Sequence, residues 1–295
     1  MTDPTAGETG PSTSSSPSAA SANPSPDGSN PSQDGAAPAA APHSAFDLGS
    51  WQRDFRAVLG FFTRLPVGRA PDGDLAAAAR AFPLAGLVVG LIGAFVYLGA
   101  VKLGLSGLLA ALLAVAATGA LTGALHEDGL ADVADGLGVR GDRARKLAVM
   151  KESHIGSFGT LALIFATAIK VAALAALGTP ELVAGALIAA HVLARGVLPL
   201  AMRSLPVVRP GGLADRAGKP TAEGVYWSLG LALAAALFSV YLPAAIVALV
   251  AAVAAAILIG KLAERQFGGY TGDVLGAIEQ VAEIAVLVNL VTLAP

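Results

Sequence analysis

Residues 82–101 read FPLAGLVVGLIGAFVYLGAV, a run of twenty positions without a charge. As a helix rising about 1.5 Å per residue, the run is about 30 Å long, the thickness of a bilayer's hydrocarbon core. A helix of this length in a soluble protein keeps a polar face, and this one has none to offer. Similar runs recur near 107–125, 158–177, 182–202, 226–242, 244–260 and 279–294. The last three are short or carry polar residues, so six spans is the alternative to seven. The composition agrees: the 295 residues are 55% hydrophobic and 14% charged, against about 25% charged in a soluble domain. The patterning does not alternate as a membrane barrel's would. The expected fold class is all-α, a polytopic integral membrane bundle of about seven helices over 46–295. Gly119, Gly123, Gly185 and Ala189 are expected to let helix backbones approach closely.

The first 45 residues differ. They are rich in Ser, Pro, Ala and Gly and contain no Lys or Arg. Such a segment has too little large apolar surface to offset its ordering entropy, so 1–45 is expected to be a disordered tail. It lacks the basic start and apolar stretch of a signal peptide. The chain has no cysteine, which excludes disulfides, thiolate metal sites and cysteine nucleophiles. A net charge of −2 gives no electrostatic case for nucleic acid. Between tail and first span, Trp51, Phe55, Val58, Leu59 and Phe62 recur at helical spacing. They describe an amphipathic helix that either lies on the bilayer surface or packs on the bundle.

Basic residues set the orientation. Arg53, Arg56, Arg64, Arg69 and Arg80 precede the first span. Arg140, Arg143, Arg145, Lys146 and Lys151 lie between the second and third. Arg203, Arg209, Arg216 and Lys219 lie between the fourth and fifth, and Lys261 and Arg265 between the sixth and seventh. With seven spans all of these share one side, expected to be cytoplasmic, and the sizeable polar loops share it too.

Chemistry concentrates in Leu121–Gly138, LTGALHEDGLADVADGLG. Asp128, Asp132 and Asp135 are spaced i, i+4, i+7 and share one helix face, with Glu127 beside them. Crowded carboxylates repel one another and lose hydration near a membrane. A hard divalent cation such as Mg²⁺, which takes carboxylate and phosphate oxygens, resolves both problems. The alternative is a solvated acidic loop. A second cluster, GGYTGDVLG at 268–276, is followed by Glu279 and Glu283. Its glycines permit close approach to a ligand, the next helix's first amides could hold phosphate, and Asp273 either completes a metal site or caps that helix. Lys170 falls mid-span, and His191 and Arg195 sit at i, i+4 in the fourth span. Charges at that depth must face the interior, as an ion pair with the acids or, for Arg195, as a phosphate ligand.

The segments FFTRLPV at 61–67, TGALHEDGLADVADGL at 122–137, MKESHIGSFG at 150–159, HVLAR at 191–195 and GGYTGDVLGA at 268–277 follow one another in this order. Together they resemble the adenosylcobinamide-GDP ribazoletransferase family, also called cobalamin (5′-phosphate) synthase. The resemblance covers essentially all of 51–295 and rests most on the HEDGLADxxDG and YTGDxLGA patterns. It implies a Mg²⁺-dependent enzyme of the bacterial cytoplasmic (inner) membrane acting at the last assembly stage of cobalamin. A ribose hydroxyl of α-ribazole, or of its 5′-phosphate, attacks the phosphorus of adenosylcobinamide-GDP next to the aminopropanol arm, and GMP leaves. The partners implied are those two substrates and the lipid bilayer; a homo-oligomer is left open. On this resemblance Asp128, Asp132 and Asp135 are metal ligands, Glu127 is a ligand or general base, and Asp273 joins them from the second cluster. Arg64, Lys151, Arg195, Thr271 and Gly272 are expected at the substrate. His126 is a further candidate base. The family's third segment usually carries Asp and Arg where this chain has Glu152 and His154. A pH-dependent imidazole is a weaker phosphate ligand than guanidinium, so the departure bears on His154 and not on the family.

Two other readings compete. A CDP-alcohol phosphotransferase also uses an acidic helix end, but needs an Asp at position 125 and an Arg at 132, where this chain has Leu125 and Asp132. A cation or proton transporter would spread acids over several spans near mid-membrane. The Glu127–Asp135 cluster sits instead at one span's end.

Overall fold

The computed structural model describes residues 47–67, 74–209 and 211–294. The tail expected over 1–45 lies outside them, as does Arg69. The described residues belong to one unit, His43–Pro295, and form helices in this order: α1 Leu48–Phe62, α2 Asp74–Ala77, a 3₁₀ turn Ala78–Ala81, α3 Phe82–Lys102, α4 Gly107–Thr122, α5 Leu125–Gly138, α6 Arg143–Val149, α7 Ser157–Ala176, α8 Pro180–Gly196, α9 Leu198–Ser204, α10 Leu213–Ala217, α11 Ala222–Ser239, α12 Leu242–Phe267 and α13 Gly272–Leu293.

Six helical stretches among them are long and apolar enough to cross a membrane. A seventh, α4, qualifies only together with α5, from which it is bent by 91°. The all-α membrane bundle therefore stands, with shifted boundaries. The last span starts at Gly272 rather than 279, which places Glu279 and Glu283 well inside it. The sixth runs on to Phe267. Large apolar side chains such as Phe95, Phe238, Val250 and Leu258 point outward and are 61–94% exposed, a surface that suits lipid and not water.

The interior is built from small residues. Ala186, Ala189, Ala190 and Ala194 of α8 are buried, and α8 is the central helix, touching α3, α11 and α13. A Cβ on Gly86 would fall 2.3 Å from the His191 carbonyl oxygen, and one on Gly90 would fall 2.7 Å from the Ile188 Cα, so α3 seats against α8 backbone to backbone. Of the glycines expected at close contacts, Gly185 meets the Ser239 carbonyl, but Gly119 faces open space. Gly123 serves differently: it and Ala124 are left-handed, at φ 66° and 56°, and make the bend between α4 and α5. That bend turns α5 away from the direction of α4 and lays it against α13 and α7.

Helix α1 packs on the bundle. Its buried Asp54 accepts from Arg80 Nε at 2.6 Å, Ser50 accepts from the same guanidinium at 2.7 Å, and Trp51 lies under it at 4.2 Å. Pro199 breaks the fourth span into α8 and α9, and the freed Gly196 carbonyl accepts from Ser228 Oγ. At the polar end, Tyr270 N–H donates to the Pro206 carbonyl and Val208 N–H to the Tyr270 carbonyl. This short parallel bridge ties the segment after α9 to the start of α13.

Candidate active site

Helices α5 and α13 cross where each has a glycine. A Cβ on Gly129 would fall 2.6 Å from the Asp273 carbonyl oxygen, and one on Gly276 would fall 3.1 Å from the His126 carbonyl oxygen. The glycines of HEDG and GDVLG are thus the contact that places Asp128 and Asp132 beside Asp273. Thr271 caps α13 by accepting from Val274 N–H, and its hydroxyl donates to Asp273 Oδ2 at 3.1 Å. Because Thr271 does the capping, the Asp273 carboxylate is free to turn to the open side. Gly272 is exposed in the first turn.

Asp128 is exposed and Asp132 half-buried on α5. Burial first, then the charges of Asp273, Asp128 and Asp135, push the Asp132 carboxyl up to about 7. Arg209 pulls the other way. The sequence marks Arg209 only as one of the basic residues that set orientation, because VVRP carries no motif. Its Nη1 lies 3.9 Å from Asp273 Oδ2 while Nη2 donates to the Leu147 carbonyl at 2.8 Å. The Leu147 bond fixes one arm of the guanidinium and leaves the rest of its donors beside the acids.

The other acids of the cluster face elsewhere. Asp135 is buried, and its oxygens accept from Gly156 N–H at 2.7 Å and Gly159 N–H at 2.8 Å. It thereby caps α7 from outside that helix, which suits a carboxylate at a positive helix end. Any side chain at Gly156 or Gly159 would collide with it, since either Cβ would fall 2.4 Å from a carboxylate oxygen. This is the physical content of the IGSFG motif. Glu127 turns inward: its Oε1 accepts from Gln280 at 3.3 Å and lies 3.8 Å from Lys170 Nζ.

Glu127 joins a buried network one turn deeper. Arg195, 1% exposed, lies 2.7 Å from Glu279, which is fully buried. Lys170 lies 3.5 Å from Glu283 and donates to Gln280 at 2.9 Å. His191 Nδ1 is 3.2 Å from Arg195 Nη1. Ligand atoms of His191, Glu279 and Glu283 come within 4.8 Å of one another. Arg195 and Lys170 already supply the positive charge there, and the arrangement is an ion-pair network of three acids and two bases. An unpaired charge at this depth costs about 2.5–3.5 kcal/mol on insertion scales, which is why acids and bases meet. Arg195 therefore sits inside the bundle, paired with Glu279.

His126 joins network and site. It is 3% exposed, its Nδ1 lies 3.5 Å from Glu279 Oε2 and 3.4 Å from Arg195 Nη2, and its Nε2 has no hydrogen-bond partner among the described residues. Its ring packs on Phe62 at 5.6 Å. Of the remaining residues expected at the substrate, Arg64 is exposed, its side chain over Gly123 and its N–H donating to the Leu121 carbonyl at 2.8 Å. Lys151 is exposed between α6 and α7, with Glu152 and His154 exposed beside it. A cavity of about 110 Å³ opens beneath Asp128, Gly272 and Asp273, lined by Phe61, Phe62, Phe82, His126, Leu198 and Met202 among others.

Known proteins can be set against this geometry. The family model described as cobalamin-5-phosphate synthase matches residues 54–291. A protein of Bradyrhizobium diazoefficiens named adenosylcobinamide-GDP ribazoletransferase is 46% identical over 237 residues, covering 79% of this chain and 91% of its own. Proteins of the same name from Azorhizobium caulinodans, 43% identical over 80% of this chain and 94% of theirs, and from Mesorhizobium japonicum, 45% identical over 79% and 91%, agree. No solved structure matches the chain. The matched span contains both acid-bearing helices and the glycines at their crossing, and the chain belongs to the cobalamin-5-phosphate synthase family.

Proposed function

We propose that this chain joins α-ribazole, or its 5′-phosphate, to adenosylcobinamide-GDP and releases GMP. The observation that carries the reading is the meeting of Asp128, Asp132 and Asp273 from two helices at the polar end of a membrane bundle, with Arg209 beside them. The donor set fits Mg²⁺: three hard carboxylates, partly open, where burial first and mutual repulsion second raise the proton affinity of Asp132. Mg²⁺ held by Asp128, Asp132 and Asp273 would neutralise phosphate charge and orient the reacting groups.

The chain's own residues do the rest. Arg209 binds phosphate oxygens of the nucleotide-activated corrinoid, its fork held by the Leu147 carbonyl. The backbone at Gly272, exposed in the first turn of the long helix α13, adds a donor for the same oxygens. His126 serves as base in the tautomer that carries its proton on Nδ1, which lies 3.5 Å from Glu279 Oε2 and 3.4 Å from Arg195 Nη2. Nε2, which has no partner among the described residues, then accepts the proton of the attacking ribose hydroxyl. The ribose oxygen–phosphorus bond forms, the pyrophosphate bridge bond breaks, and its electron pair leaves with GMP. Asp135 and Glu127 stand behind the site, one holding α7 and the other the inner network. The basic loops support a reading in which this polar end faces the cytoplasm from the bacterial cell membrane.

The test is purified, lipid-reconstituted protein given both substrates and Mg²⁺, with corrinoid product followed by mass spectrometry and GMP by chromatography. Equal amounts of cobalamin (or its 5′-phosphate) and GMP are expected. Product without GMP, or neither, would overturn the reading.

A further inference from the structure

Resting on that reading, we propose that the cavity under Asp128 and Asp273 seats the acceptor's base, and that it selects a flat, apolar bicyclic aromatic over a purine. Position comes first. Asp128, Gly272 and Asp273 form part of the lining of this cavity, so a ribose hydroxyl placed at the acids leaves the base on the same sugar only a few ångströms away. The lining decides the chemistry. Phe61, Phe62, Phe82, Leu125, Leu198 and Met202 provide ring faces, methyls and a polarizable sulfur. Phe62 is fixed edge-on by Phe61 at 5.0 Å and Phe82 at 4.9 Å, so the wall is built before any ligand arrives.

The space of about 110 Å³ is of the order that takes one flat ring. The benzenoid half of a dimethylbenzimidazole would enter, with the imidazole half and the sugar at the rim. A purine presents ring nitrogens and exocyclic groups to the same wall. Among the described residues His126 is the one polar side chain of the lining besides the two acids; its Nδ1 lies by Glu279 and Arg195, and its Nε2 is taken by the ribose hydroxyl in the proposed reaction. A purine's polar edge would lose water there without replacement partners. The same argument keeps the donor's guanine out of this cavity.

The probes are α-ribazole and the α-riboside of adenine, which differ only in the base. Reconstituted protein is assayed with each at saturating adenosylcobinamide-GDP, and equilibrium dialysis measures labelled α-ribazole binding without the donor. Wild type is expected to favour α-ribazole by at least about tenfold in kcat/KM, with one tightly bound α-ribazole per chain. Ala217→Leu, which fills the cavity from α10, should raise the dissociation constant and KM for α-ribazole at least about tenfold. The KM for adenosylcobinamide-GDP should stay within about twofold. Met202→Gln should narrow the preference against adenine. Equal use of both nucleosides by wild type, α-ribazole binding unchanged in Ala217→Leu, or a KM rise confined to the corrinoid donor would each overturn the assignment. α-Ribazole that fails to displace lipid retained in the cavity would do the same. Absence of any corrinoid product from wild type would fault the underlying reading instead, and the dialysis result would still decide the cavity.

Discussion

Glu127 and Asp128 adjoin in the chain, yet one faces a buried lysine and the other the open end of the bundle. Successive helical residues point about 100° apart, so a cluster dense in sequence is divided in space. Asp132 has a measurable consequence. Burial and three neighbouring carboxylates raise its carboxyl to about 7, above the ordinary value of 3.8. Between those values the folded chain holds a proton that the unfolded chain has lost, so this group's contribution to stability falls as pH rises through about 4 to 7. In chelator, Asp132→Asn should therefore melt higher than wild type at pH 7.5, and the gap should close towards pH 4 and on adding Mg²⁺. Thermal unfolding in detergent across that range checks it; a gap independent of pH and Mg²⁺ would contradict it. Asp135→Asn should behave differently. It swaps one acceptor for a donor against the N–H groups of Gly156 and Gly159 and should cost about 1.5–3 kcal/mol of stability. The Mg²⁺ concentration for half-maximal rate should stay unchanged, which a titration on the variant reads directly.

Helix α5 is the element on which the site depends, and its placement was only partly legible in the sequence. Hydropathy shows the spans because lipid imposes length and apolarity on each one locally. The bend between α4 and α5 rests on left-handed Gly123 followed by left-handed Ala124, and nothing in TGALHED marks an alanine for that conformation. The pairing of Arg195 with Glu279 joins α8 to α13, and Arg209 reaches Asp273 through a bridge between distant loops. Such contacts are set by tertiary packing, so the charges were readable but their partners were not. The crossing of α5 and α13 gives a paired test. Gly129→Ala would press a methyl to 2.6 Å from the Asp273 carbonyl oxygen and force the helices apart, whereas Gly119→Ala meets open space. A misplacement on the order of 1 Å costs about a hundredfold in rate. Gly129→Ala is expected to lose that much with insertion intact, and Gly119→Ala to keep wild-type activity. Equal activities in the two variants would show that the close crossing does not matter to the site.

At the scale of the whole molecule, α6, the loop after α9 and the turn before α13 meet at one end, where Arg209 donates to the Leu147 carbonyl of α6 and lies by Asp273 of α13. The turns around 103–106, 177–180 and 240–241 carry few charges. The positive-inside rule predicts that the first end faces the cytoplasm. With no native cysteine, single cysteines at 142 and 104 should label from the cytoplasmic and the external side respectively; the reverse would invert the topology. The central claim is that two helices distant in sequence form one metal-dependent phosphoryl-transfer site. The direct measurement is initial rate of corrinoid product against Mg²⁺ concentration for wild type, Asp128→Asn, Asp273→Asn and the double variant, each checked for insertion. Each single change should lower turnover by orders of magnitude, at about 1.4 kcal/mol per decade, and raise the Mg²⁺ required. The double variant should be scarcely worse than either, because ligands of one site fail together. Near-wild-type rates for Asp273→Asn, or losses that multiply in the double variant, would contradict a site shared between α5 and α13.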